Sequence, residues 1–229
     1  MNGTERAGET VNLTAAVGHV LSAYKAVPTG APRGGLVIVQ EIFGVTDHIR
    51  DVCDRFAAEG YAAIAPAMFD RVQRGVELGY SEETVAEALA IRRQITDWNQ
   101  PLMDVEAGRS AVAEAGRVAC VGYCFGGDTA WVGVTRGGFD AAVAYYGGHI
   151  YTLVDETPKA PIILHYGTED HIASAEKIAL IRERHPDVPI YIYDGAGHGF
   201  NCDARADFDV AAANLALQRT RAFLAEHIG

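Results

Sequence analysis

Little in this sequence fits a metal, redox or nucleic-acid protein. Only four cysteines occur in 229 residues (Cys53, Cys120, Cys124 and Cys202), and no two stand in a CxxC pair. Zinc ribbons and thioredoxin-like dithiols need such a pair to bring two sulfurs to one metal or one disulfide. His165, His171 and His198 show no HExxH or comparable ligand spacing, so metal-assisted hydrolysis is disfavoured. Basic residues are outnumbered, 19 Lys and Arg against 30 Asp and Glu, for a formal charge of −11. A global acidic field repels nucleic acid and anionic membrane surfaces, which excludes both as ready partners. No apolar run approaches the roughly 20 residues that cross a bilayer. The first ten residues lack the basic and apolar regions of a signal peptide, so the expected location is the cytoplasm. Thiols are free in that compartment, and the sequons at Asn2 and Asn12 carry no meaning there.

What is present is an ordinary globular balance, 49% hydrophobic and 21% charged. The length suits one α/β domain over 1–229, either as a monomer or in a small homo-oligomer. Strand and helix signals alternate along the chain. Gly34–Gln40 is a short β-branched apolar run, read as a strand buried on both faces. Thr46–Glu59 follows with helical spacing and ends at Gly60. Tyr61–Ala65 is the next strand. Helical stretches run from Ser81 to about Ile95 and from Pro101 to about Ala115. Val118–Tyr123, Phe139–Tyr146, Ala160–Tyr166 and Val188–Tyr193 read as further strands. Asp128–Thr135, Ser174–Arg184 and Ala206–His227 read as helices. This rhythm predicts a mostly parallel sheet with helices on both faces. Sites in such sheets form at the carboxyl ends of the strands.

Three of those strand ends carry reactive side chains. Gly122-Tyr123-Cys124-Phe125-Gly126-Gly127 is a G-x-C-x-G turn, the nucleophile-elbow pattern with cysteine in place of serine. The turn is so tight that the flanking positions need glycine, and the central side chain projects above the sheet. The Phe125 N–H then lies at a helix start, where it can donate to an oxyanion and where the helix favours thiolate. A buried, inert cysteine in a glycine-rich turn would read the same way. Asp170 lies three residues past Gly167 beyond one strand, with Glu169 as its rival. His198 sits among glycines beyond another. The chain order is nucleophile, acid, histidine, the order expected of α/β-hydrolases. Glu41, after the strand ending at Gln40, falls where such enzymes place part of the oxyanion hole.

Taken together, Val39-Gln40-Glu41-Ile42-Phe43-Gly44-Val45, the cysteine elbow, Gly167 to Asp170 and Ala196-Gly197-His198-Gly199-Phe200 resemble the dienelactone hydrolase (carboxymethylenebutenolidase) family. The likeness extends over nearly the whole chain and implies an α/β-hydrolase fold that works without a metal or other cofactor. It implies Cys124 as nucleophile, His198 as general base and Asp170 as its orienter. It further implies that Glu41 contacts the resting thiol, and that the N–H groups of Ile42 and Phe125 form the oxyanion hole. The family holds a substrate carboxylate with two arginines. One belongs four residues after the histidine, where this sequence has Cys202, and Arg205 is the expected substitute. The other aligns with Arg93.

The expected partner is a small-molecule lactone or ester, cleaved through a thioester on Cys124. Two rival readings stay open at this point. One is a non-catalytic ligand-binding α/β-hydrolase fold. The other is a thiol redox protein in which Cys202 resolves an oxidised Cys124.

Overall fold

A computed structural model describes residues 7–229; Asn2 lies outside them. Eight strands form one sheet: β1 (Glu9–Thr14), β2 (Val20–Ala26), β3 (Gly35–Val39), β4 (Ala62–Pro66), β5 (Val118–Tyr123), β6 (Ala141–Tyr145), β7 (Ile162–Gly167) and β8 (Ile190–Tyr193). Their spatial order is β1-β2-β4-β3-β5-β6-β7-β8. β1 and β2 pair antiparallel with each other, β2 pairs antiparallel with β4, and β3 to β8 run parallel to one another. This is the expected α/β-hydrolase architecture.

The central strands are apolar along their whole length because helices cover both faces. All five residues of β3 are buried, with Leu36 and Ile38 facing one core and Val37 and Val39 the other. The helices are α1 (Asp47–Ala58), α2 (Glu82–Arg92), α3 (Asn99–Ala111), α4 (Phe125–Thr135), α5 (Ala175–Arg184) and α6 (Val210–His227). Ser81 caps α2, accepting from the Thr84 N–H at 3.3 Å. Among the described residues no helix is long and apolar enough to cross a membrane.

Several boundaries differ from the sequence expectation. α4 starts at Phe125, directly after the elbow, rather than at Asp128. α6 starts at Val210 rather than Ala206, because Asp209 accepts from the N–H groups of Ala211 and Ala212, both at 2.9 Å. The two antiparallel strands β1 and β2 had no counterpart in the sequence pattern. β1 is mostly exposed, and β2 mixes buried with partly exposed positions, so neither shows a continuous apolar run.

Candidate active site

The elbow follows β5, and its geometry explains its glycines. A Cβ on Gly122 would lie 1.8 Å from the Gly126 carbonyl oxygen, and one on Gly126 would lie 2.2 Å from that of Val39. No side chain fits either gap. Cys124 itself adopts φ 53°, ψ −113°, a conformation that costs a non-glycine residue about 1–3 kcal/mol and is characteristic of functional turns. The residue is partly exposed and opens onto a cavity of about 180 Å³. The Phe125 N–H is the first of α4. Among the described residues, neither it nor the Ile42 N–H has a hydrogen-bond partner. Ile42 also lines the cavity.

His198 enters the same cavity from the loop after β8. Its Nδ1 lies 2.9 Å from Asp170 Oδ2. Asp170, 4% exposed, follows β7, and its other oxygen accepts from the N–H groups of Ile172 and Ala173 at 2.8 Å. These bonds lock the carboxylate and leave it one task, to hold the imidazole. Burial works against the ionised acid. The hydrogen bond and charge of His198, aided by the two N–H groups, outweigh it and hold Asp170 below the usual carboxylate range. Glu169, the rival acid, is exposed.

The Nε2 of His198 is buried and makes no regular hydrogen bond among the described residues, which leaves it free to meet a group that enters the cavity. Burial would lower this imidazole. The electrostatic pull of the neighbouring Cys124 sulfur and the bond to Asp170 reverse that and push it up to about 10. Tyr146 packs edge-on against the ring at 5.1 Å.

Glu41 is 2% exposed and accepts from Arg205 Nη1 at 3.3 Å. Among the described residues no hydrogen bond joins its carboxylate to Cys124, and the bond it accepts comes from the arginine. Arg205 does fold back into the site, and its other nitrogen reaches Asp207 at 3.2 Å. Gly199 makes room for it, since a Cβ there would meet Arg205 Nη1 at 2.5 Å.

Arg93 is a correction. It sits at the C-terminal end of α2 and faces solvent, while Arg92 lines the cavity. Neighbouring positions on a helix differ in direction by about 100°, so only Arg92 of this pair faces the cavity. Arg92 lies 4.5 Å from the Phe125 ring centroid and 5.0 Å from that of Trp98. Cys202 is fully buried, and burial pushes its thiol up to about 12. A thiol in that state is a poor resolving partner. All four cysteines are free.

The spatial arrangement adds residues that sequence reading passed over. Asp128 stands four residues after Cys124 on α4, so both face the cavity. It is 1% exposed and accepts from the backbone N–H of His149 at 2.8 Å, with His149 Nδ1 at 3.2 Å. The i, i+4 spacing from Cys124 was the available signal for Asp128. Nothing local marked His149. Val85 and Leu89 join Arg92 on the inner face of α2 and make the wall largely apolar. A larger groove, about 910 Å³, lies at the opposite ends of β7 and β8. It contains no cysteine or serine, and its His185 is committed to the Val154 carbonyl at 2.8 Å.

A family model, that of the dienelactone hydrolase family, matches residues 21–228. The chain belongs to the dienelactone hydrolase family. It is 32% identical over 226 residues to a carboxymethylenebutenolidase of Pseudomonas putida, covering 95% of this chain and 96% of that one. It is 32% identical over 225 residues to carboxymethylenebutenolidase 1 of Cupriavidus pinatubonensis, covering 94% and 95%. A crystal structure from Klebsiella pneumoniae, provisionally named a dienelactone hydrolase, superposes with a TM-score of 0.82 at 30% identity, covering 96% of this chain and all of that one. A dienelactone hydrolase-like promiscuous phosphotriesterase from metagenomic libraries shares the fold at 19% identity and a TM-score of 0.79, covering 97% of this chain and all of that one. Like other chains of the dienelactone hydrolase family, this one is a hydrolase.

Proposed function

We propose that this dienelactone hydrolase family member cleaves a lactone or activated ester with Cys124, His198 and Asp170, through a thioester intermediate. The observation that carries the reading is the strained Cys124 elbow opening onto the same cavity as a buried His198 Nε2 that makes no regular hydrogen bond, while Nδ1 is fixed by Asp170.

In this mechanism His198 holds the thiol proton and Cys124 attacks the carbonyl carbon as thiolate. The C=O electron pair moves to oxygen, which the N–H groups of Ile42 and Phe125 receive. Collapse breaks the bond to the ring or alkoxy oxygen, and His198 returns its proton to that leaving group. Water, deprotonated by His198, then adds to the thioester and releases the acid and the thiol. A stabilised leaving group such as an enolate eases the first half. The reading therefore favours activated esters and lactones over amides. Glu41 holds Arg205 beside the nucleophile, and the family resemblance gives it the further role of contacting the thiol during the cycle.

The test is hydrolysis of cis- and trans-dienelactone and of a 4-nitrophenyl ester by wild type and Cys124→Ala. Wild type should turn over at least one of them, with a transient acyl adduct on Cys124 visible by mass spectrometry. Loss of the nucleophile should lower kcat by about 10⁴-fold or more. Undiminished turnover by Cys124→Ala ends the proposal.

A further inference from the structure

A second pair of histidine and buried carboxylate lines the same cavity as His198. Asp128 on α4 is 1% exposed, and both of its oxygens serve His149, on the loop after β6. Oδ1 accepts from the His149 backbone N–H at 2.8 Å, and Oδ2 lies 3.2 Å from Nδ1 of the ring. The His149 carbonyl in turn accepts from the Thr152 N–H at 2.9 Å and from the Thr152 hydroxyl at 2.7 Å. The backbone on both sides of this ring is therefore tied down.

The ring itself is 58% exposed. Lining the cavity and yet meeting solvent, it stands at the cavity mouth. The backbone bond to Asp128 is enough to pin the loop. The bond to Nδ1 does something else, since it fixes the direction and the tautomer of the ring. A carboxylate oxygen accepts, so the proton of the neutral imidazole sits on Nδ1 and Nε2 carries a lone pair. Among the described residues no hydrogen bond reaches that Nε2. The wall nearby is largely apolar, with Ile42, Val85, Leu89 and Ile172. A substrate hydroxyl emerging at the mouth thus finds an acceptor oriented in advance, which lowers the ordering cost of binding it.

We propose that His149, held by Asp128, is a specificity-determining residue that accepts a hydrogen bond from a hydroxyl of the substrate, so that the enzyme prefers hydroxylated lactones or esters. The inference rests on the cysteine-hydrolase reading above. Asp128 acts through His149 and is a positioning residue. Neither takes part in bond making.

Two matched series of esters test this. One varies the acyl side, as 4-nitrophenyl hexanoate with hydrogen, hydroxyl or methoxyl at its far end. The other varies the alcohol side, as phenyl hexanoate with methyl, hydroxyl or methoxyl at the para position. Methoxyl accepts a hydrogen bond but donates none, so the hydroxyl-to-methoxyl ratio of kcat/KM reads the acceptor role of His149. In wild type the ratio should be about fivefold or more in at least one series, the size of one neutral hydrogen bond, and should act mainly through KM. Asp128→Asn keeps an oxygen for the His149 N–H and turns its NH2 toward Nδ1. The ring proton then moves to Nε2, which serves methoxyl as well as hydroxyl, and the ratio should fall to about one. His149→Phe keeps a ring without an acceptor and should bring the ratio to about one as well. Nitrogen NMR of the neutral ring reads the tautomer with no substrate present: the proton should be on Nδ1 in wild type and on Nε2 in Asp128→Asn. A ratio near one in both wild-type series overturns the proposal, and needs no variant to fold. So does a proton on Nε2 in wild type, or a folded His149→Phe that keeps the wild-type ratio. Those results leave Cys124 as nucleophile intact. Absence of turnover of every ester, or activity retained in Cys124→Ala, instead removes the reading beneath the proposal and the proposal with it.

Discussion

At His198 burial and charge oppose each other, and charge prevails. The ring's ordinary value is 6.5, and it is pushed up to about 10 by the electrostatic pull of the neighbouring Cys124 sulfur and the Asp170 bond. Because the folded value is the higher one, the imidazolium stabilises the fold fully below about pH 6.5. That contribution is lost as pH rises through about 10. In Cys124→Ser that sulfur is gone, so the ring should titrate at a clearly lower pH. The ring protons of His198, followed by NMR between pH 5 and 11, report this directly. An unchanged titration in the serine variant would mean that Asp170 alone raises the histidine.

Elements hold the site through a few buried polar pins. Asp104 of α3 is fully buried and accepts from Nη2 and Nε of Arg71, at 2.7 and 2.8 Å. Burial pushes its carboxyl up and the guanidinium pulls it down, with burial the larger effect. The pair ties the turn after β4 to α3, just before the segment that leads to α2 and its cavity-lining face. Arg71→Met should cost about 3–5 kcal/mol in urea unfolding, because a buried carboxylate is left without its partner. The double variant Arg71→Met/Asp104→Leu should recover much of that loss, since neither desolvated charge remains. Element boundaries show where sequence patterns carry information. β3 and β5 were legible because both faces are covered and every residue is buried. β1 and β2 were not, because β1 is the edge strand and is mostly exposed, and β2 beside it mixes buried with partly exposed positions, which blurs the alternation.

Across the whole molecule, one buried histidine ties stability to pH. His165 on β7 is fully buried, with Nδ1 2.8 Å from the Tyr193 hydroxyl and Nε2 3.3 Å from that of Thr220. It stacks on Tyr145 at 4.6 Å and on Tyr191 at 5.4 Å, part of an aromatic row across β5 to β8. Burial draws it down from 6.5 to about 3. The folded value is the lower one, so the contribution of neutral His165 is complete above about pH 6.5 and lost as pH falls toward 3. The slope should approach about 1.4 kcal/mol per pH unit for this one proton. Urea midpoints between pH 7 and 4 check this, and His165→Gln should flatten the dependence while lowering stability at pH 7.

By itself the sequence determined the features that depend on neighbours along the chain. The elbow is local because its glycines and its cysteine share one turn, and Asp170 and His198 were legible because each directly follows a recognisable strand. The tertiary structure alone decided which charges meet. Arg205 lies 164 residues from Glu41 in sequence, and His149 lies 21 residues from Asp128. The choice of Arg92 over Arg93 depended on the rotation of α2 against the sheet. Through-space electrostatics falls off with distance and not with sequence separation, so those pairings became visible only when the chain was folded.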